Sequence, residues 1–104
     1  MKKSTQVIES IELSSAHIII VHFKCFWYQE DIELLSSMLF AKLSKIQVVE
    51  TIQGADRENT RFVWQTKYHF SLNFDCYSQS CWLEGEDERS NEQLTHLIPA
   101  LPVN

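Results

Sequence analysis

From Phe62 to Cys76 the chain alternates without a break. The even positions are Phe62, Trp64, Thr66, Tyr68, Phe70, Leu72, Phe74 and Cys76. The odd positions are Val63, Gln65, Lys67, His69, Ser71, Asn73 and Asp75. Successive side chains of a strand point to opposite faces, so a period of two marks a sheet with one covered and one wet face. The stretch is longer than an ordinary strand. A turn near Thr66-Lys67 is therefore predicted, although neither Gly nor Pro marks it. A further strand is expected over 80–85. With a two- or four-residue loop, Cys76 stands opposite Cys81 and Phe74 opposite Leu83, while Trp82 faces the other way, near Tyr77 or Asp75. A loop of odd length would turn Trp82 inward, because a one-residue slip exchanges the two faces.

The remaining elements are placed by their periods. Residues 6–13 are rich in β-branched side chains, with Val7, Ile11 and Leu13 on one face and Glu9 as the exception. After a turn at Ser14-Ser15-Ala16, residues 17–26 are apolar on both faces, which predicts a strand covered on both sides, or a central one, paired with the first. Residues 29–44 change to helical spacing, with Ile32, Leu35, Leu39 and Leu43 forming a stripe that Leu34, Met38 and Phe40 widen. Glu30, Asp31 and Glu33 at its start and Lys42 and Lys45 at its end complement a helix dipole. Residues 46–53 return to strand character, and 54–60 form a polar loop. Near the end, Ser90-Asn91-Glu92-Gln93 has the form of a capping box, followed by Leu94, Leu97, Ile98 and Leu101 at helical spacing until Pro99 limits the helix.

The predicted order is ββ-α-ββββ-α, or one strand fewer. That is an α+β fold, an antiparallel sheet of five to six strands with two helices packed on one face. With 104 residues, 44% of them hydrophobic, the chain suffices for one core, so residues 1–104 are read as a single domain.

The hairpin sequence Phe70-Ser71-Leu72-Asn73-Phe74-Asp75-Cys76-Tyr77-Ser78-Gln79-Ser80-Cys81-Trp82-Leu83-Glu84 resembles the signature segment of a family of short uncharacterised bacterial proteins, catalogued only as a domain of unknown function. The resemblance implies a cytoplasmic bacterial protein, and it supplies no catalytic residue to carry over.

Charge narrows the partners. Nine Lys and Arg stand against fourteen Asp and Glu, a formal charge of −5. Within 84–92, Glu84, Glu86, Asp87, Glu88 and Glu92 outnumber Arg89. An acidic chain lacks the footprint that a phosphate backbone requires, so no nucleic-acid partner is expected. The longest apolar run, Ile18-Ile19-Ile20-Val21, is far too short to span a membrane. Met1-Lys2-Lys3 is followed by Glu9 and Glu12 where an export signal would be apolar, so a cytoplasmic location is expected.

No catalytic set emerges. Cys25, Cys76 and Cys81 are odd in number, which argues against a disulfide framework. A Cys76–Cys81 redox pair would lack the C-x-x-C form. His69, Cys76 and Cys81 do not have zinc spacing. Cys25 with His17 or His22 forms no convincing nucleophile–base pair, because Cys25 and His22 point to opposite faces of a strand. His96 is expected at the surface without a role. With only two glycines, neither a phosphate loop nor a nucleophile elbow is present. No cofactor is expected.

Three expectations remain. The first is a non-enzymatic protein-interaction module, with a protein partner or a homodimer, using Trp27, Tyr28 or Trp82 as an exposed patch. The second is an acidic decoy or immunity-type inhibitor of a basic partner, working through Glu84, Glu86, Asp87 and Glu88. The third is a small-ligand binder or enzyme with an unfamiliar site around His17, His22 and Cys25.

Overall fold

A computed structural model describes residues 6–14 and 17–102. Six strands and three short helices follow the predicted order: β1 (Ile8–Leu13), β2 (Ile18–Phe23), α1 (Ile32–Phe40), β3 (Ile46–Gln53), β4 (Arg57–Trp64), β5 (Tyr68–Asp75), β6 (Ser80–Gly85), α2 (Glu88–Asn91) and α3 (Leu94–Leu97). The strands form one antiparallel sheet in the order β1-β2-β6-β5-β4-β3. β2 is thus an internal strand, although it is not covered on both sides: Ile19 and Val21 are buried, while Ile18 and Ile20 are only partly buried and His22 is exposed.

One face of the sheet carries the core. Ile19 and Val21 from β2, Cys81 and Leu83 from β6, Phe70, Leu72 and Phe74 from β5, and Phe62 and Trp64 from β4 are all buried. Against them pack Ile32, Leu35 and Leu39 of α1, then Leu43, Leu94, Leu97 and Leu101. Rings from both layers interlock. Phe40 meets Phe62 edge-on at 4.9 Å, and Phe62 stacks on Phe70 at 5.7 Å, geometries that add to simple area burial.

The unbroken alternation over 62–76 does split into two strands. Trp64 pairs with Tyr68, and Gln65, Thr66 and Lys67 make the turn. A loop of three residues keeps the parity, so even positions face the core on both sides of it. Gln65 and Thr66 supply the left-handed backbone themselves, with φ of 58° and 62°, which is why no glycine announces the turn.

At the β5–β6 hairpin the facing is the one that an even loop gives, but the pairing is displaced by two from Cys76 opposite Cys81. Phe74 stands opposite Cys81, Leu72 opposite Leu83 and Asn73 opposite Trp82. Cys76 therefore lies in the turn rather than across from Cys81. Burial pushes the Cys81 thiol far above its ordinary range, so it packs as a small hydrophobe.

Several details differ from the sequence reading. The strand expected over 17–26 covers only Ile18–Phe23. β1 carries a bulge between Ile8 and Ser10, so Ile8 is buried in the core with Ile11 partly buried against it, while Leu13 is exposed. The helical segment is shorter than 29–44: a 3-10 turn covers Gln29–Asp31 and α1 ends at Phe40. Lys42 and Lys45 lie beyond that end, and Leu34 is exposed. The polar loop is only 54–56, because β4 begins at Arg57. Finally, Asp87 rather than Ser90 caps α2, accepting the Ser90 N–H at 2.7 Å. Ser90 is buried inside that turn and accepts the His69 N–H at 2.9 Å. The expected turn residues Ser15 and Ala16, and the N-terminal Met1-Lys2-Lys3, lie outside the described residues.

Gly85 joins sheet to helix. A β-carbon there would sit 2.6 Å from the Asn91 backbone nitrogen, so only glycine lets the end of β6 donate to Asn91 Oδ1 at 3.0 Å.

Candidate interaction surfaces

The segment 24–28 leaves β2 and crosses the tip of the β5–β6 hairpin. Trp27 was expected at the surface. It is instead only 2% exposed, with its ring set edge-on against Phe74 at 5.5 Å. The reason is a lock from the hairpin. Gln79 Oε1 accepts the Trp27 N–H at 3.0 Å, and Gln79 Nε2 donates to the Trp27 carbonyl at 2.8 Å and to the Cys76 carbonyl at 3.0 Å. The side-chain amide thus supplies Trp27 with the pairing that a neighbouring strand would give.

Turning Trp27 inward turns its neighbours outward. Phe26 is 63% exposed and Tyr28 60%, and their rings touch edge-on at 5.1 Å. The backbone of Tyr28 is held too: its N–H donates to Asp31 Oδ2 at 2.8 Å, and its carbonyl accepts the Asp31 N–H at 2.9 Å. Tyr77, on the hairpin tip beside Cys76, is 90% exposed. Phe26, which sequence reasoning passed over, belongs to this surface because of the Trp27 anchor; the alternation Phe26-Trp27-Tyr28 was the available signal.

Trp82 faces the open side of the sheet, half-buried. Its Nε1 donates to Glu84 Oε1 at 2.8 Å, and it borders a shallow groove with Ile18, Ile20 and His22. Asn59, Asn73 and Ser71 continue a chain of side-chain hydrogen bonds across this face.

The acidic stretch is mostly engaged within the chain. Glu84 holds the Trp82 indole. Glu86 Oε2 accepts from Arg61 Nε at 2.9 Å, and the same guanidinium reaches Glu50 at 3.0 Å. Asp87 caps α2, and the Ser90 hydrogen bonds hold its carboxyl below the usual carboxylate range. Glu88 stands in the first turn of α2.

His17, His22 and Cys25 do not converge. His17 sits exposed in a left-handed turn conformation, with φ of 62°. His22 is exposed on β2, and the Cys25 N–H donates to Gln6 Oε1 at 2.8 Å. Among the described residues no three His, Cys, Asp or Glu side chains come together as a metal-binding group. Also among them, no helix is long and apolar enough to cross a membrane.

A recess of about 530 Å³ was not foreseen. Its floor is the helix-side face of β3 and β4, including Thr51, Glu58 and Thr60; its wall is the polar side of α1 with Glu33 and Ser36, below Glu30. Glu58 is buried and accepts from Gln53 Nε2 at 2.9 Å. The signal was present, since Glu58 and Thr60 extend the even-numbered alternation backwards from Phe62.

Comparison with known proteins finds one family model matching residues 8–102, described as a protein of unknown function (DUF3630). No curated protein and no solved structure matches.

Proposed function

The chain belongs to that family of unknown function, and we propose that it is a protein-interaction module rather than an enzyme. The observation that carries the reading is the fixed outward presentation of Phe26 and Tyr28. Exposed aromatic rings are costly to leave in water and are typical anchors of binding surfaces. Here they lie on backbone pinned from both sides, so little ordering entropy is lost on binding. Tyr77 extends the same end of the molecule. The partner is a protein offering an apolar pocket for the ring pair. The proposed setting is the bacterial cytoplasm, in keeping with Cys76 and Cys81 standing as thiols.

The test is affinity capture from cell extract with wild-type protein and with the Phe26→Ser/Tyr28→Ser double variant. Both positions are exposed, so the variant should fold and melt as the wild type does. A partner bound through the patch should be retained at least ~30-fold less well by the variant, matching a loss of roughly 2 kcal/mol for removing hot-spot rings. Equal retention by both baits would contradict the proposal.

A further inference from the structure

A second surface, independent of the aromatic patch, lies along β3. This strand closes one edge of the sheet, pairing only with β4 among the described residues. Every residue of it after Ile46 is exposed. Val48, Val49 and Ile52 are each more than half exposed, yet the strand contains no Pro or Lys, and its one charge, Glu50, is already paired with Arg61. Edge strands of soluble proteins are ordinarily blunted by such residues. Among the described residues the edge is interrupted by a β-bulge at Val49.

We infer that β3 pairs antiparallel with β3 of a second copy of this chain, about a two-fold axis normal to the sheet. Charge complementarity identifies the occupant. Lys42 and Lys45 precede β3 at one end, and Lys67 lies close by, because Gln65 donates its N–H to the Lys45 carbonyl. Asp56 follows β3 at the other end, where Glu58, Glu30 and Glu33 border the recess. None of Lys42, Lys45, Asp56, Glu30 or Glu33 forms an ion pair among the described residues. Antiparallel self-pairing sets the basic end of each copy beside the acidic end of the other, twice, as an isologous interface requires. The same operation keeps both helix layers on one side. The recess of each copy then opens onto that of the other, and the floor strip left bare by α1 becomes the middle of a continuous sheet.

The experiment is light-scattering mass across a hundredfold range of protein concentration, at low and high salt. Wild type should approach the dimer mass at low salt and dissociate more readily at high salt. Val48→Lys/Ile52→Lys should be monomeric throughout with unchanged circular dichroism. Lys45→Glu and Asp56→Lys should each weaken the dimer, and an equimolar mixture of the two should regain it, since the mixed dimer keeps one native Lys45–Asp56 contact and makes the other with its charges exchanged. A wild type that stays monomeric at every concentration would overturn the inference, as would a dimer indifferent to the Val48 and Ile52 changes. The Phe26→Ser/Tyr28→Ser variant should dimerise normally, so failure here and failure of the proposed function are separable.

Discussion

Gln79 has the largest leverage of any single side chain on the proposed surface. It adopts a left-handed backbone conformation, with φ of 57°, and its amide makes three hydrogen bonds to main chain. Gln79→Ala would leave the Trp27 backbone groups without their partner. The expected loss is about 2–3 kcal/mol by urea denaturation, with faster amide exchange at Trp27. An unchanged urea midpoint would mean that the lock is dispensable. Asp87 makes a pH-dependent contribution. Its carboxyl titrates below the ordinary value of 3.8, so the cap stabilises the fold above that value. The contribution is lost as pH falls through the lowered one. Asn caps without titrating, so below about pH 4 wild-type stability should fall more steeply than that of Asp87→Asn; parallel curves would contradict this.

At the scale of elements, the two hairpins show what a residue pattern does and does not record. The facing of β4, β5 and β6 is legible because burial selects one parity in each strand. The turn at 65–67 is legible only from the excess length of the stretch, because its odd length leaves that parity intact. The β5–β6 register is not legible, because a shift of two preserves both faces. Trp27 misleads for a different reason: its neighbours in sequence give no hint of Gln79, which is brought to it only by the hairpin. Thr66 holds a β-branched side chain at φ of 62°, a conformation that such residues tolerate poorly. Thr66→Gly should therefore stabilise the protein by about 1 kcal/mol, the relieved strain outweighing added unfolded-state freedom. A lower melting temperature would show that the turn is not strained.

Across the whole molecule, the helices cover one sheet face from β1 as far as Phe62 and Trp64 of β4 and leave the β3 end bare. Two features follow from that offset: the recess beside α1 and the exposed edge. The fold class and element order were readable from period alone. The surfaces were less so, since exposure depends on where the helical layer stops, which no local pattern encodes. The aromatic patch and the β3 edge are separate surfaces, the first proposed to meet a different protein and the second a second copy of this chain.

Phe26, Tyr28 and Tyr77 form the proposed working surface. A photo-crosslinking amino acid placed in living cells at Tyr28 or Tyr77, and separately at exposed Thr95 on α3, tests it most directly. A discrete adduct of one protein is expected from positions 28 and 77 and none from 95. Adducts absent from 28 and 77, or equally abundant from 95, would contradict it.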